Sequence, residues 1–552
     1  MEEAYAGSGK PARGSTTVRQ RRRRCRIIRG MAFRDGWIGG TGGGTTYTIF
    51  GVWHKRATLV PPLRVSLRWP AGRNSLLSQH STSGASMTER RNVVLILADQ
   101  LRADCVGCYG NHIIRTPHID ALAASGVRFA QTFSQHPQCV PSRAALMTGR
   151  YPHVNGAVSN NTAMADTEAT LGELFRAAGY RSIGVGKLYL FPHKEAAAFN
   201  ETMQSGGQNS DATTPDCLHQ DYKSWLQENG YWQVAQEAYA IHGTDAYWDD
   251  FQANVNPIPA PAFIDTWVGD RAVEYLRDQR VGEPFFLFVG LPNPHTPFDC
   301  PEPYASMYDA AQMPVPDTFG QDLANKPPIH QAFKREGRQV DYEQLNETKL
   351  RQAMAYYYGA VTLVDDQVGK IVAALESRGW LDDSVIAFCS DHGELLGHFG
   401  MLTKSTEKYP MLYDVGLRVP LIVRSPGGQA GLVIDDPVEL IDLSPTLLES
   451  AGLDVAEQIQ GRSLVAALRG GPPPDRRYVF AESGEVRMIR GERYKLVDYP
   501  GQACGELYDV VADPEEMDNL YDDERHRDLR ERLTRDLAEH LISMETPRRR
   551  PR

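Results

Sequence analysis

Long uninterrupted apolar stretches are missing from this chain of 552 residues. No run approaches the roughly 18–20 apolar residues that a bilayer-spanning helix needs, so no membrane span is expected. The N-terminal region also lacks the apolar core of roughly 7–15 residues that a secretory leader carries. Cysteine is scarce: there are eight, and only Cys105 and Cys108 lie close together. So few scattered thiols build no disulfide framework, and a lone C-x-x-C with no second half reads better as buried small hydrophobes than as a zinc or redox pair. Nor is positive charge in excess, since Lys and Arg total 59 against 69 Asp and Glu, a net charge of −10. That balance leaves no electrostatic footprint for nucleic acid. Two basic clusters, Arg21–Arg24 and Arg548–Arg550, stand near the chain ends and read as solvated tails.

What the chain does have is apolar material for a large core, with 41% of its residues hydrophobic and 23% charged. At roughly 100–200 residues per domain, the length points to two or more units, or to one large α/β unit with an appendage. The first 86 residues differ in character, being rich in Gly and Arg, with GGTGGGTT at 39–46 bounding no periodic segment. Met87 leads through a short polar stretch into the apolar run Val93–Leu97 and resembles a natural start. Residues 1–86 are therefore expected to be a disordered extension or a misassigned start, and initiation at Met87 would leave the protein in the cytoplasm. Residues 87–474 are expected to form the main domain, 475–545 a smaller C-terminal subdomain of sheet plus helix, and 546–552 a basic tail.

From residue 92 onward, short β-branched runs alternate with amphipathic stretches, the α/β pattern of a large, mostly parallel sheet sandwiched by helices. The spacing predicts strands at Val93–Leu97, Arg181–Val185, Phe285–Val289 and Val385–Cys389. Helices are predicted at Leu171–Ala178, closed by Gly179, at Asp270–Asp278 and at Met354–Ser377. After about residue 475 come short strands, Tyr478–Ala481, Arg487–Arg490 and Tyr494–Val497, then a helix with Leu529, Leu533, Leu537 and Leu541 on one face. The first four strands are followed by reactive residues: Asp99 and Gln100, then Lys187, then His295, then Asp391 and His392. Ligands in open α/β sheets bind beyond the carboxyl ends of the strands, so these segments are expected to converge on one site.

The most specific stretch is Cys139-Val-Pro-Ser-Arg-Ala-Ala-Leu-Met-Thr-Gly-Arg150. A buried cysteine ahead of a proline-bearing helix start would account for Cys139 alone, but not for the whole match. The stretch resembles the signature of the type I sulfatases, in which the cysteine of Cys-x-Pro-Ser-Arg is oxidised to formylglycine by a formylglycine-generating enzyme, here an expected partner. The resemblance runs from about residue 92 to about residue 541, through Arg490–Leu496, Gly505–Asp509, Asp513-Pro514 and Asn519-Leu520. It implies an alkaline phosphatase-like fold. It also implies a nucleophile with two hydroxyls, one to attack sulfur and one to expel sulfate by re-forming the carbonyl; a thiol would leave a sulfated enzyme that needs a separate water.

By the same resemblance, Asp99 and Gln100 in ILADQLRAD, Asp391 and His392 in FCSDHGELLGHFG, and the matured Cys139 together hold one divalent metal. Hard oxygen ligands suit Ca2+, with Mg2+ or Mn2+ as alternatives, and the ion would polarise the sulfate and stabilise the formylglycine oxyanion. Gln100 stands where many sulfatases carry a second Asp, which removes a negative charge. Taken singly, Asp99 or Asp391 also fits a helix N-cap, and His392 a core histidine bonded to backbone. Arg143 and Lys187 match the groups that hold formylglycine and sulfate oxygens, for which a guanidinium fork is well suited. Gly186-Lys187-Leu188-Tyr189 departs from the commoner Gly-Lys-x-His, so the base of the elimination step is left open among Tyr189, His193 and other groups. His295 in Asn293-Pro-His-Thr-Pro-Phe298 and Lys404 in Gly400-Met-Leu-Thr-Lys404 match the pair that contacts sulfate and assists the departing oxygen, although a solvated surface lysine is the plainer reading of Lys404.

The implied activity is hydrolysis of a sulfate ester, on a small molecule or a sulfated saccharide, to an alcohol and inorganic sulfate. Gln100 and the lost histidine lean toward a phosphonate monoester hydrolase or phosphodiesterase of the same superfamily, which stays an alternative beside an inactive binding homologue. Segments 200–257 and 299–325 are expected to wall the pocket, without choosing among sugar, aryl and alkyl esters.

Overall fold

The computed structural model describes residues 90–190, 198–207, 212–337 and 340–545. The segment 1–86, both terminal basic clusters and His193 lie outside the described residues. Strands β1 (Asn92–Ala98), β6 (Phe285–Leu291) and β8 (Ser384–Ser390) are apolar along nearly their whole length, and every residue but Asn92 is buried. A strand apolar on both sides is stable only with cover on both faces of its sheet. β1 shows this residue by residue. Val94 and Ile96 enter a core formed with α1 (Pro117–Ser125), α4 (Ile264–Asp278) and α5 (Glu347–Ser377). Val93, Leu95 and Leu97 enter the opposite core, with α2 (Cys139–Thr148), α3 (Leu171–Ala177) and α6 (Leu443–Ser450).

The large sheet runs β10 (Leu432–Ile434), β2 (Val127–Phe133), β9 (Arg418–Arg424), β8, β1, β6, β3 (Arg181–Gly186) and β4 (Glu201–Gln204), with β11 (Val438–Glu439) also paired to β2. β8, β1, β6, β3 and β4 are mutually parallel, while β9 is antiparallel to both β8 and β2. β5 (Ala253–Val255) and β7 (Phe298–Cys300) form a separate short parallel pair. The C-terminal sheet is antiparallel, in the order β12 (Val479–Ser483), β13 (Val486–Arg490), β14 (Tyr494–Asp498) and β15 (Gly505–Asp509). Leu533 and Leu537 of α7 (Arg527–Glu545) pack on its Ile489, Leu496 and Leu507.

Two helices begin earlier than their periodicity suggests. Residues Ile264–Gly269 of α4 are all buried, so no polar face marks the first turns. α5 starts under an Asn346 cap, whose Oδ1 accepts from Lys349 N at 3.1 Å, ahead of a polar first turn. Among the described residues, all cysteines are free, with Cys105 buried and Cys108 half-buried, and no helix is long and apolar enough to cross a membrane.

Candidate active site

Because β8, β1, β6 and β3 run parallel side by side, their carboxyl ends emerge along one edge of the sheet. The chain leaving β1 carries Asp99 and Gln100, that leaving β3 Lys187, that leaving β6 Asn293 and His295, and that leaving β8 Asp391 and His392. Gln100 takes a left-handed backbone at φ 67, as do Tyr189 at φ 49 and Thr403 at φ 67, near Lys187 and Lys404. Such conformations cost a non-glycine residue about 1–2 kcal/mol and persist where surrounding packing over-determines them, which is characteristic of functional sites.

Cys139 is the first residue of α2, and its Sγ lies 3.1 Å from Lys404 Nζ, 3.3 Å from His392 Nε2, 3.5 Å from Asp99 Oδ1 and 3.8 Å from Lys187 Nζ. Burial and Asp99 push the thiol up, but Lys187, Lys404 and His392 outweigh them and bring it to about 7. The residues that follow Cys139 tie the helix to the strand ends. Ser142 Oγ donates to the Asp391 carbonyl at 2.5 Å. Arg143, four residues on and so on the same helix face, is fully buried. Its Nε donates to Asp391 Oδ2 at 2.8 Å, its Nη2 to Asp99 Oδ2 at 2.9 Å and its Nη1 to the Lys187 carbonyl at 2.5 Å.

Lys187 Nζ pairs with Asp99 Oδ2 at 2.5 Å. Burial raises the Asp99 carboxyl, but Lys187, His295, Arg143 and Lys404 together hold it well below the usual carboxylate range. Asp391 Oδ1 accepts from the backbone N–H of Gln100 at 3.0 Å and of His392 at 2.9 Å. Neither aspartate begins a helix, so the N-cap reading does not apply to them. His392 Nδ1 donates to the Gly393 carbonyl at 2.8 Å, which turns Nε2 toward Asp99 and Asp391, 3.8 Å from a carboxylate oxygen of each. The backbone bond of a core histidine thus sets the tautomer that a metal ligand needs. Burial lowers the His392 pKa, yet Asp391 and Cys139 leave it raised on balance.

Ligand-capable atoms of Asp99, Cys139, Asp391 and His392 all lie within 4.8 Å of one another. Two carboxylates and an oriented imidazole around one point fit a divalent cation. Gln100 stands beside them, its Oε1 accepting from Lys404 Nζ at 2.8 Å. Lys404 is 2% exposed, which excludes a solvated surface lysine; its Nζ also meets His295 Nε2. His295, at 8% exposed, is the least buried of the predicted catalytic and metal-site residues, the others being at 2% or less, and Tyr189 beside Lys187 is half-buried. The Tyr189 ring lies 4.2 Å from Lys187 Nζ, and burial pushes its hydroxyl up, away from what a base at neutral pH requires.

Three partners escaped the reading of the sequence. Glu394, fully buried, accepts from Gln100 Nε2, and its only signal was its place in the quoted FCSDHGELLGHFG stretch. Asn293, also within a quoted stretch, accepts from Asp99 N at 3.2 Å through its carbonyl. Asp265 accepts from Asn293 N at 3.1 Å and Nδ2 at 2.5 Å, and so anchors the loop that carries His295. Nothing in the sequence marks Asp265, because its partner is remote along the chain.

The profile of the sulfatase family matches residues 91–453, and that of the N-sulphoglucosamine sulphohydrolase C-terminal region matches residues 406–543. An arylsulfatase of Clostridium perfringens is 28% identical over 475 residues, covering 82% of this chain and 95% of the relative. An uncharacterized sulfatase of Escherichia coli is 30% identical over 480 residues, covering 83% and 88%. Among solved structures, a phosphonate monoester hydrolase from Silicibacter pomeroyi superposes with a TM-score of 0.67 at 25% identity, covering 82% of this chain and 96% of that one.

Proposed function

The chain belongs to the sulfatase family and is a sulfuric ester hydrolase, and from that premise we propose that Cys139, matured to formylglycine, is the group that attacks sulfur. The observation that carries this reading is the setting of Cys139 at the start of α2, within 3.8 Å of two lysines, His392 and Asp99. Asp99, Gln100, Asp391 and His392 would hold one divalent cation, Ca2+ by its preference for hard oxygen, to neutralise charge on the sulfate and on residue 139. Arg143 spends its three bonds on Asp99, Asp391 and the Lys187 carbonyl, so its part is to fix the carboxylates. The ammonium groups of Lys187 and Lys404 face residue 139 and are set to receive sulfate oxygens. His295, the least buried of these groups and in contact with Lys404, protonates the departing oxygen. The substrate is a small sulfate ester or a sulfated saccharide, and a formylglycine-generating enzyme is the maturation partner.

Mass spectrometry of the peptide containing Cys139, from a host with that maturation enzyme, is expected to show sulfur and two hydrogens exchanged for one oxygen. Cys139→Ala is expected to abolish turnover and keep the fold. Highly active protein with an unmodified Cys139 would overturn the reading. Gln100 in place of a second acid, with the likeness to a phosphonate monoester hydrolase, favours a second activity on phosphonate or phosphate diesters. The ratio of aryl sulfate to aryl phosphonate turnover on one preparation measures it.

A further inference from the structure

Glu394 is a fully buried carboxylate three residues beyond Asp391. Its Oε2 accepts from Gln100 Nε2, and its Oε1 accepts from Leu396 N at 3.1 Å. On the other side of the same amide, Gln100 Oε1 accepts from Lys404 Nζ at 2.8 Å. An ammonium can only donate and a carboxylate can only accept, so these two partners allow one orientation of the amide. Its nitrogen faces Glu394, and its oxygen faces Lys404, whose Nζ is 3.1 Å from Cys139 Sγ. The backbone of Gln100 is held as firmly. Its N–H donates to Asp391 Oδ1 at 3.0 Å, its carbonyl accepts from Tyr357 Oη at 2.7 Å, and φ is 67.

Every polar group of Gln100 is therefore committed, at a backbone conformation that is costly for such a residue. We propose that Glu394 is a positioning residue: it aims the Gln100 oxygen into the metal site and supplies, from behind the amide, the negative charge that glutamine lacks relative to aspartate. This rests on the reading of Asp99, Asp391 and His392 as the metal site. Without the carboxylate, Lys404 alone still selects the amide orientation, the NH2 loses its ionic acceptor, and the negative charge behind the amide is gone, so the dipole turned toward the cation is weaker and less firmly held.

The test is Ca2+ titration of chelator-stripped protein by calorimetry, which reads affinity without turnover. Glu394→Gln, which keeps size and shape, is expected to weaken Ca2+ binding by about 10–100-fold, the usual loss when a partner behind a ligand is removed. Gln100→Asp alone sets carboxylate against carboxylate and is expected not to tighten binding. The exchange, Gln100→Asp with Glu394→Gln, restores an amide–carboxylate pair with its charge turned toward the cation, and is expected to bind Ca2+ at least as tightly as the parent. The affinity of the exchanged protein is read directly against the parent, so where a single variant folds poorly, weaker binding by the exchanged protein by itself overturns the assignment. Additive losses, or an unchanged affinity in Glu394→Gln, overturn the assignment. Nitrophenyl sulfate turnover by the parent is scored separately: turnover with an additive cycle removes only this inference, and a coupled cycle without turnover removes only the functional reading.

Discussion

Around residue 139 the protein concentrates three buried cations, Arg143, Lys187 and Lys404, against Asp99 and Asp391. Removing one member leaves its partners charged in a poorly solvated place. Arg143→Met is therefore expected to destabilise the fold by about 3–5 kcal/mol, the usual cost of breaking a buried ion pair from one side, read as a lowered denaturation midpoint. Added Ca2+ should recover part of that loss, because a cation on Asp99 and Asp391 replaces the neutralising charge. His295 supports a different expectation, since it is less buried than these cations and touches Lys404. His295→Ala should slow alkyl sulfates by about 10²–10⁴-fold and nitrophenyl sulfate much less, because a good leaving group needs little protonation. An equal loss on both substrates would assign His295 to holding the sulfate and leave Lys404 as the acid.

At the scale of elements, the site depends on how closely the strand ends approach one another. A Cβ on Gly290 would lie 2.0 Å from the Lys187 carbonyl oxygen, and a Cβ on Gly186, at φ +90, would lie 2.1 Å from the Gly290 oxygen. Gly290→Ala is thus expected to part β3 from β6 at their carboxyl ends, costing about 1–3 kcal/mol in thermal unfolding. It should also lower kcat, because Lys187 moves with its carbonyl; wild-type kcat in a destabilised protein would refute the link. The strands that carry this geometry were legible in the sequence because β1, β6 and β8 are nearly continuous apolar runs and β3 holds Ile183 and Val185 just behind a capped helix, each followed by charged or polar residues. β2 and β9 were not anticipated. β2 mixes Arg128 and Gln131 into its run, and β9 opens on Arg418 and carries Pro420, so neither stands out locally as a strand. The start of α4 was hidden for the opposite reason, since burial on every side erases the helical period.

The whole molecule joins the mixed, mostly parallel sheet to the smaller antiparallel one, the architecture that the sulfatase resemblance implied. Motifs singled out residues that the fold brings together, whereas the groups that brace them, such as Glu394 and Asp265, come from the fold and carry no signature of their own. The same burial that hides these groups sets how the protein responds to pH. Asp299, 2% exposed on β7, is pushed up to about 7 by burial against the hydrogen bond from Asn256, and burial brings Asp265 to about 6. A carboxyl whose folded pKa is raised stabilises the fold fully below its unfolded value, and that contribution is lost as pH rises through the folded value. Glu506 has the opposite sign: His330, Tyr508 and Tyr499 overcome its burial and hold it at about 2, so its contribution is lost only as pH falls toward that value. Stability is therefore expected to pass a maximum on the mildly acidic side and decline toward alkaline pH. Asp299→Asn isolates one source of the decline, because the amide oxygen still accepts from Asn256 Nδ2, 2.6 Å away in the parent, and carries no charge to desolvate. Urea unfolding at about pH 5 and about pH 8 should show the variant losing roughly 2–3 kcal/mol less than the parent between the two. Parallel losses in parent and variant would mean that Asp299 ionises in the fold as readily as in water.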